Sequence, residues 1–351
     1  MCSAAPDSDW YLDHVVLPTE EAGFVGPIRT WQADWATRAR ELTDGATDRS
    51  MRDVMDRALR QGFVLRRHQV RACVVADATV RRLIRAGIWS APRRDVVAVV
   101  TPSPAIDRAI AACAAAVCRP GHVISHRSAA VLHGLPQIEL PPTPELTTVV
   151  LTALGARPLA RVRGAGLHEG DVVPWFGLPV TSVARTIMDL ARLDRRAGLV
   201  AADAALRERL VSESELAAAA ERCAGWPGAR AAREVAALAS PLAESPLESL
   251  TRLCVLDAGL PAPQLQVRIV DPADGWTCRV DMLWPEQRVV LEADGRIKYT
   301  DAELWREKRR QHRLERLDHR VVRAIWADVW GGAGTDALVA QLRHCLASPP
   351  G

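Results

Sequence analysis

Apolar positions along the chain fall into helical and strand-like periods that change character several times. Residues 1–48 keep no sustained period and are rich in Pro, Gly, Asp, Ser and Thr, which predicts a mostly disordered leader with a short helix over 31–42. Over 52–61, Val54, Met55 and Leu59 form one helical stripe that stops at Gly62. A second short helix is expected over 66–72. A third runs over 79–86, with Asp77 as its cap and Gly87 as its stop. Its Val80, Leu83 and Ile84 share one side, while Arg81, Arg82 and Arg85 occupy the other. Residues 88–99 then read as a hairpin whose turn, Ala91-Pro92-Arg93-Arg94-Asp95, is basic. An arginine-faced helix followed by a basic hairpin is the order of a winged helix-turn-helix, which docks a helix in the major groove and a wing over phosphates.

Beyond residue 100 the pattern is mixed. A short helix is bounded by Ser125 and Gly134 and carries His126 and His133 seven residues apart. No acid or Cys nearby completes a site around these two, so they read as structural. Strand-like runs follow at 146–152, 160–168 and 172–175, then helices over 183–192, 197–210, 216–223 and 229–238. Residues 240–347 predict the order αβββαβα: a helix from about 245 to 258, a strand over 264–270, a hairpin within 278–294, a helix over 301–317, a strand over 320–326 and a last helix over 335–346. Four regions are therefore expected: a leader (1–48), a winged helix-turn-helix (49–100), a small mixed α/β middle region (101–239) and a C-terminal α/β domain (240–347).

The hairpin carries the candidate chemistry. Asp281 lies among Val280, Met282 and Trp284, and the return run Val289-Val290-Leu291 leads into Glu292-Ala293-Asp294-Gly295. Successive strand residues alternate sides, so Glu292 and Asp294 share a face. A four-residue loop over 285–288 pairs Trp284 with Val289 and sets Asp281 directly across from Glu292; a three-residue loop would turn Asp281 away. Carboxylates crowded on a half-buried sheet are costly without a compensating cation, and an oxygen-only set suits a hard ion such as magnesium or manganese. The expected metal ligands are Asp281, Glu292 and Asp294.

Composition narrows the class. No apolar run approaches the roughly 18–20 residues that span a bilayer, and the first ten residues carry no secretion signal. Eight scattered cysteines without a C-x-x-C pair argue against a zinc site and against a disulfide framework, and point to a cytoplasmic protein. The net charge of +3 conceals an asymmetry: residues 1–50 hold nine acids and four Arg, and residues 51–100 hold eleven Arg and four Asp. A segment at 11 − 4 = +7 beside one at 4 − 9 = −5 fits a polyanion-binding module behind an acidic leader. Lys occurs only at 298 and 308, which makes each of them informative. On the helix over 301–317, Arg306, Arg309, Arg310 and Arg313 form a basic face beside Trp305 that suits a phosphate track.

Two resemblances organise these observations. The segment from 49 onward, with Ile124-Ser125-His126-Arg127-Ser128-Ala129-Ala130-Val131-Leu132-His133-Gly134-Leu135-Pro136, resembles the N-terminal region of AbiEi-type antitoxin and transcriptional regulator proteins. The last hundred residues, with Glu248, Asp281 and Glu292-Ala293-Asp294-Gly295, resemble the PD-(D/E)XK nuclease superfamily, and most closely its branch similar to the very-short-patch-repair endonucleases. The resemblance implies a restriction-endonuclease-like domain that hydrolyses DNA with magnesium. Asp281 and Glu292 would ligate the ion, Glu248 would orient a ligand water, and Lys298 would sit near the attacking water or scissile phosphate. One position departs from the pattern: the residue two after Glu292 is Asp294 where the superfamily has Lys, and Lys298 comes four residues later. The expected partner is DNA. The alternative expectation is an antitoxin-type transcriptional regulator with a degenerate nuclease fold and a toxin or other protein as partner.

Overall fold

The structure, a computed structural model, describes residues 49–61, 64–99, 121–139, 141–149, 155–157, 160–175, 177–295 and 301–347. The expected leader over 1–48, Lys298 and the side chain of Arg93 lie outside the described residues. The protein is a mixed α/β chain whose described residues hold three separate sheets. It divides into two compact units. One contains the described residues of 49–201 with Leu210–Ala237; the other contains Ala202–Arg209 and the chain from Leu238 onward.

In the first unit, α1 (Arg49–Leu59), β1 (Val64–Arg66), α2 (Arg67–Ala72), α3 (Asp77–Arg85), β2 (Ser90–Arg93) and β3 (Val96–Ala98) follow in order, with a sheet of order β1-β3-β2. Strand β1 was not expected; its Val64 and Leu65 are fully buried and pair with Val97 and Ala98. Val80 is buried and Leu83 and Ile84 pack on the core, so α3 shows the anticipated inner stripe. Asp77 is not the cap. It is the first helical residue, after Ala76, and its carboxylate pairs with Arg71 at 2.8 Å.

The larger sheet of this unit runs β6-β7-β5-β4-β9-β8, built from β4 (His122–Ile124), β5 (Glu145–Thr148), β6 (Gly155–Arg157), β7 (Ala160–Gly164), β8 (Val172–Trp175) and β9 (Leu178–Thr181). Helix α4 (His126–Leu132) follows β4. The segment that leads into the helix expected over 183–192 is strand β9, paired with β8 through Gly177 at φ +77°. Val54, Leu65, Val80, Val97, Ile124, Leu146 and Val180 belong to one hydrophobic core, so side chains from both sides of residue 100 pack together. His126 and His133 are buried; Ser125 Oγ and His126 Nδ1 lie 2.8 Å apart, and His133 Nε2 is 2.6 Å from the Thr181 carbonyl. The helices α5 (Val183–Leu193), α6 (Arg195–Arg207), α7 (Glu213–Arg222) and α8 (Ala229–Leu238) follow, and Ser212 with Glu215 forms the capping box that starts α7.

The second unit holds α9 (Pro246–Asp257), β10 (Gln264–Val270), β11 (Thr277–Trp284), β12 (Val289–Ala293), α10 (Asp301–Arg316), β13 (Arg320–Ala324) and α11 (Ala333–Ala347). Its sheet order is β10-β11-β12-β13; the first two pairings are antiparallel and the last is parallel. One face buries Met282, Trp284, Val289, Leu291 and Val322 with Val255 of α9 and Leu338 and Leu342 of α11. The other buries Ile269, Val280, Leu283 and Val290 with Leu314 of α10. Val280 therefore lies on the opposite side from Met282 and Trp284, where simple alternation placed all three together. The slip falls at the Asp281 step, opposite Gln266, whose φ is +53°.

Candidate active site

The connection over 285–288 is four residues long, and the ladder pairs Trp284 with Val289 and Met282 with Leu291. The pairing ends there, and Asp281, the next residue, accepts the Ala293 N–H of the facing strand on its Oδ2 at 2.9 Å. Glu292 follows Val290 on the face that α10 covers.

Glu248 enters from the first turn of α9. Ser245 caps that helix, its Oγ accepting the Glu248 N–H at 3.2 Å, with Pro246 next in line. The Glu248 carboxylate does more than cap. Its Oε2 accepts the Glu244 N–H at 2.9 Å and the Gln266 side-chain amide at 2.8 Å. The same Gln266 nitrogen lies 3.5 Å from Asp281 Oδ1. A residue held at positive φ inside a strand thus links the two acids, while its own Oε1 is buried without a hydrogen-bond partner. Gln266 gave no warning in the sequence, where it reads as one polar strand position among several.

The two linked acids share an electrostatic problem. Burial raises the Glu248 carboxyl above its ordinary range, and the charge of Asp281 pushes it further. Burial likewise raises Asp281, against the lowering effect of the Ala293 N–H and of Arg310. Glu292 is in a different position. Arg310 of α10 grips it with two bonds, Nη2 to Oε1 at 2.7 Å and Nη1 to Oε2 at 3.0 Å, and also donates to the Arg279 carbonyl at 2.7 Å. Asp294 pairs with Arg323 at 2.9 Å.

The expected three-acid metal group of Asp281, Glu292 and Asp294 is therefore corrected. Among the described residues, no three His, Cys, Asp or Glu side chains are placed to hold one ion. The reason is local: α10 and β13 bring guanidinium groups to Glu292 and Asp294, which supply the compensating charge. Two carboxylates nevertheless suffice for magnesium, which commonly takes one or two and completes its shell with water and substrate phosphates. The oxygen-only donors around Asp281 fit that requirement.

The expected basic surfaces divide in the same way. Arg81, Arg82 and Arg85 are exposed on α3, and Arg94 is exposed beyond β2. On α10, Arg306 and Arg309 are exposed. Arg310 is engaged by Glu292, and Arg313 pairs with Asp274 at 2.7 Å and lies over the Trp276 ring. The phosphate track read from Arg306, Arg309, Arg310 and Arg313 thus loses two members to the fold, because these side chains tie α10 to the sheet.

No family model matches the chain. It is 37% identical over 155 residues to "Uncharacterized protein MT2308" and to "Uncharacterized protein Rv2248", from two strains of Mycobacterium tuberculosis. The match covers 44% of this chain and 57% of each relative, so the chain spans little more than half their length. The crystal structure of the RV2827C protein from Mycobacterium tuberculosis aligns with 65% of this chain and 90% of its own, at 12% identity and a TM-score of 0.31. No helix among the described residues is long and apolar enough to cross a membrane.

Proposed function

We propose that the protein binds DNA and that its C-terminal unit hydrolyses phosphodiester bonds with magnesium or manganese. The observation that carries this reading is the meeting of two acids, buried Glu248 of α9 and half-buried Asp281 of β11, on the Gln266 amide, with Arg310, the partner of Glu292, near enough to lower Asp281. Asp281 and Glu292 would hold the ion, which when bound activates a water and neutralises charge on the phosphate. Gln266 keeps Asp281 and Glu248 side by side. Glu248, raised by burial, is suited to hold a proton or a water at its Oε1. Glu292 meets a cation only by releasing Arg310, and the freed guanidinium is then available to a substrate phosphate. At the other end of the chain, α3 with Arg81, Arg82 and Arg85, followed by the β2–β3 hairpin with Arg94 at its turn, supports a winged-helix reading in which this unit docks on duplex DNA.

The experiment is cleavage of plasmid or oligonucleotide DNA with magnesium or manganese, comparing the wild type with Asp281→Ala. Metal-dependent cutting that disappears in the variant is the expected result; binding without cutting by the wild type contradicts it. One observation favours a second reading, a regulator of the antitoxin kind whose nuclease fold only binds nucleic acid or a protein partner. The two-pronged Arg310–Glu292 bridge already neutralises the acid an active site needs.

A further inference from the structure

Helix α10 turns Arg310, Arg313 and Leu314 toward the sheet, and several cationic residues remain exposed outside. Trp305 is 64% exposed, the one exposed Trp among the described residues. Residues 305, 309, 312 and 316 follow helical spacing, so Trp305, Arg309, His312 and Arg316 line one stripe with Lys308 beside it, all exposed. Lys308 Nζ lies 5.6 Å from the Trp305 ring centroid. Glu315, an exposed acid two turns beyond Lys308, accepts a 2.9 Å bond from Gln311. The large aromatic ring at the head of this cationic row is left in water rather than packed in the core.

We propose that this face binds unpaired, single-stranded nucleic acid, with Trp305 stacked on a base and Lys308, Arg309 and Arg316 on the flanking phosphates. The inference rests on the reading above, that the C-terminal unit acts on nucleic acid, and names the form of the substrate. Charge complementarity selects a polyanion, and the ring selects within that class. A duplex hides the faces of its bases inside the stack and offers such a surface only phosphates, whereas a single strand offers both.

The test measures binding of short labelled oligonucleotides, single-stranded and duplex, to the full chain by fluorescence anisotropy without divalent cation. Trp305→Ala is expected to weaken single-strand binding by about 5- to 100-fold. Its salt dependence and duplex affinity should stay as in the wild type, and Trp305→Phe should restore most of the loss. Arg309→Ala should instead flatten the single-strand salt dependence, by a slope of about 0.7. Any duplex binding through α3 is common to all these proteins and drops out of the comparison. Unchanged single-strand affinity in Trp305→Ala, or equal losses for both probes, overturns the proposal and leaves the cleavage reading standing. No binding of either probe by the wild type overturns both.

Discussion

Asp281 sits half-buried beside Glu248, its two oxygens met only by a backbone N–H and a distant amide. A carboxyl whose folded value is raised contributes stability that is lost as the pH climbs through that value, so the ionised Asp281–Glu248 pair weakens the fold, and the proposed cation would relieve it. Asp281→Asn removes one of the two charges. It should leave the metal-free melting temperature unchanged or higher, and abolish the rise that saturating manganese gives the wild type. That rise corresponds to about 3 kcal/mol when the ion is at a hundred times its dissociation constant. His126 presents the opposite sign. Burial lowers it to about 3, so its contribution is intact above its ordinary value and is lost as the pH falls from there toward 3. The expected slope is roughly 1.4 kcal/mol per pH unit across that window. Thermal unfolding followed from neutral pH to pH 4 should show this acid sensitivity, flattened in His126→Asn, which tolerates the local φ of +53°.

At the scale of elements, α10 is fastened by the residues expected to face substrate. Arg310→Ala leaves Glu292, 13% exposed, without its guanidinium, and should lower stability by about 1–3 kcal/mol as read by denaturant unfolding. Helices α5 and α6 approach so closely that a Cβ on Gly198 would come 2.5 Å from Ala191 Cα. Gly198→Ala should therefore cost about 1–3 kcal/mol. Elements with a strong period could be read in advance: the inner stripe of α3, strand β10, and the four-residue loop that pairs Trp284 with Val289. What escaped depends on long-range pairing. The short strands β1, β4 and β9 are defined by partners far along the chain. The slip at Asp281 depends on the backbone of Gln266, which no side-chain pattern reveals. The Arg310–Glu292 bridge joins residues whose spacing, helix against strand, carries no periodic signal.

For the whole molecule, the proposed duplex docking and the proposed action on single strands are assigned to two separate compact units, so separate variants test them. Replacing Arg81, Arg82 and Arg85 together by Ala should weaken duplex binding at all sequences. The same change should lower the salt dependence by a slope of nearly one for each phosphate no longer neutralised. Metal-dependent cutting of single-stranded DNA should be far less affected. The proposed cleavage rests on one requirement, that the acids around Asp281 hold a divalent cation. Calorimetric titration of the full chain with manganese tests it most directly: one ion bound per wild-type chain and none by Asp281→Asn is the predicted result, and a wild type that binds no ion, or a variant that binds it equally well, would contradict it.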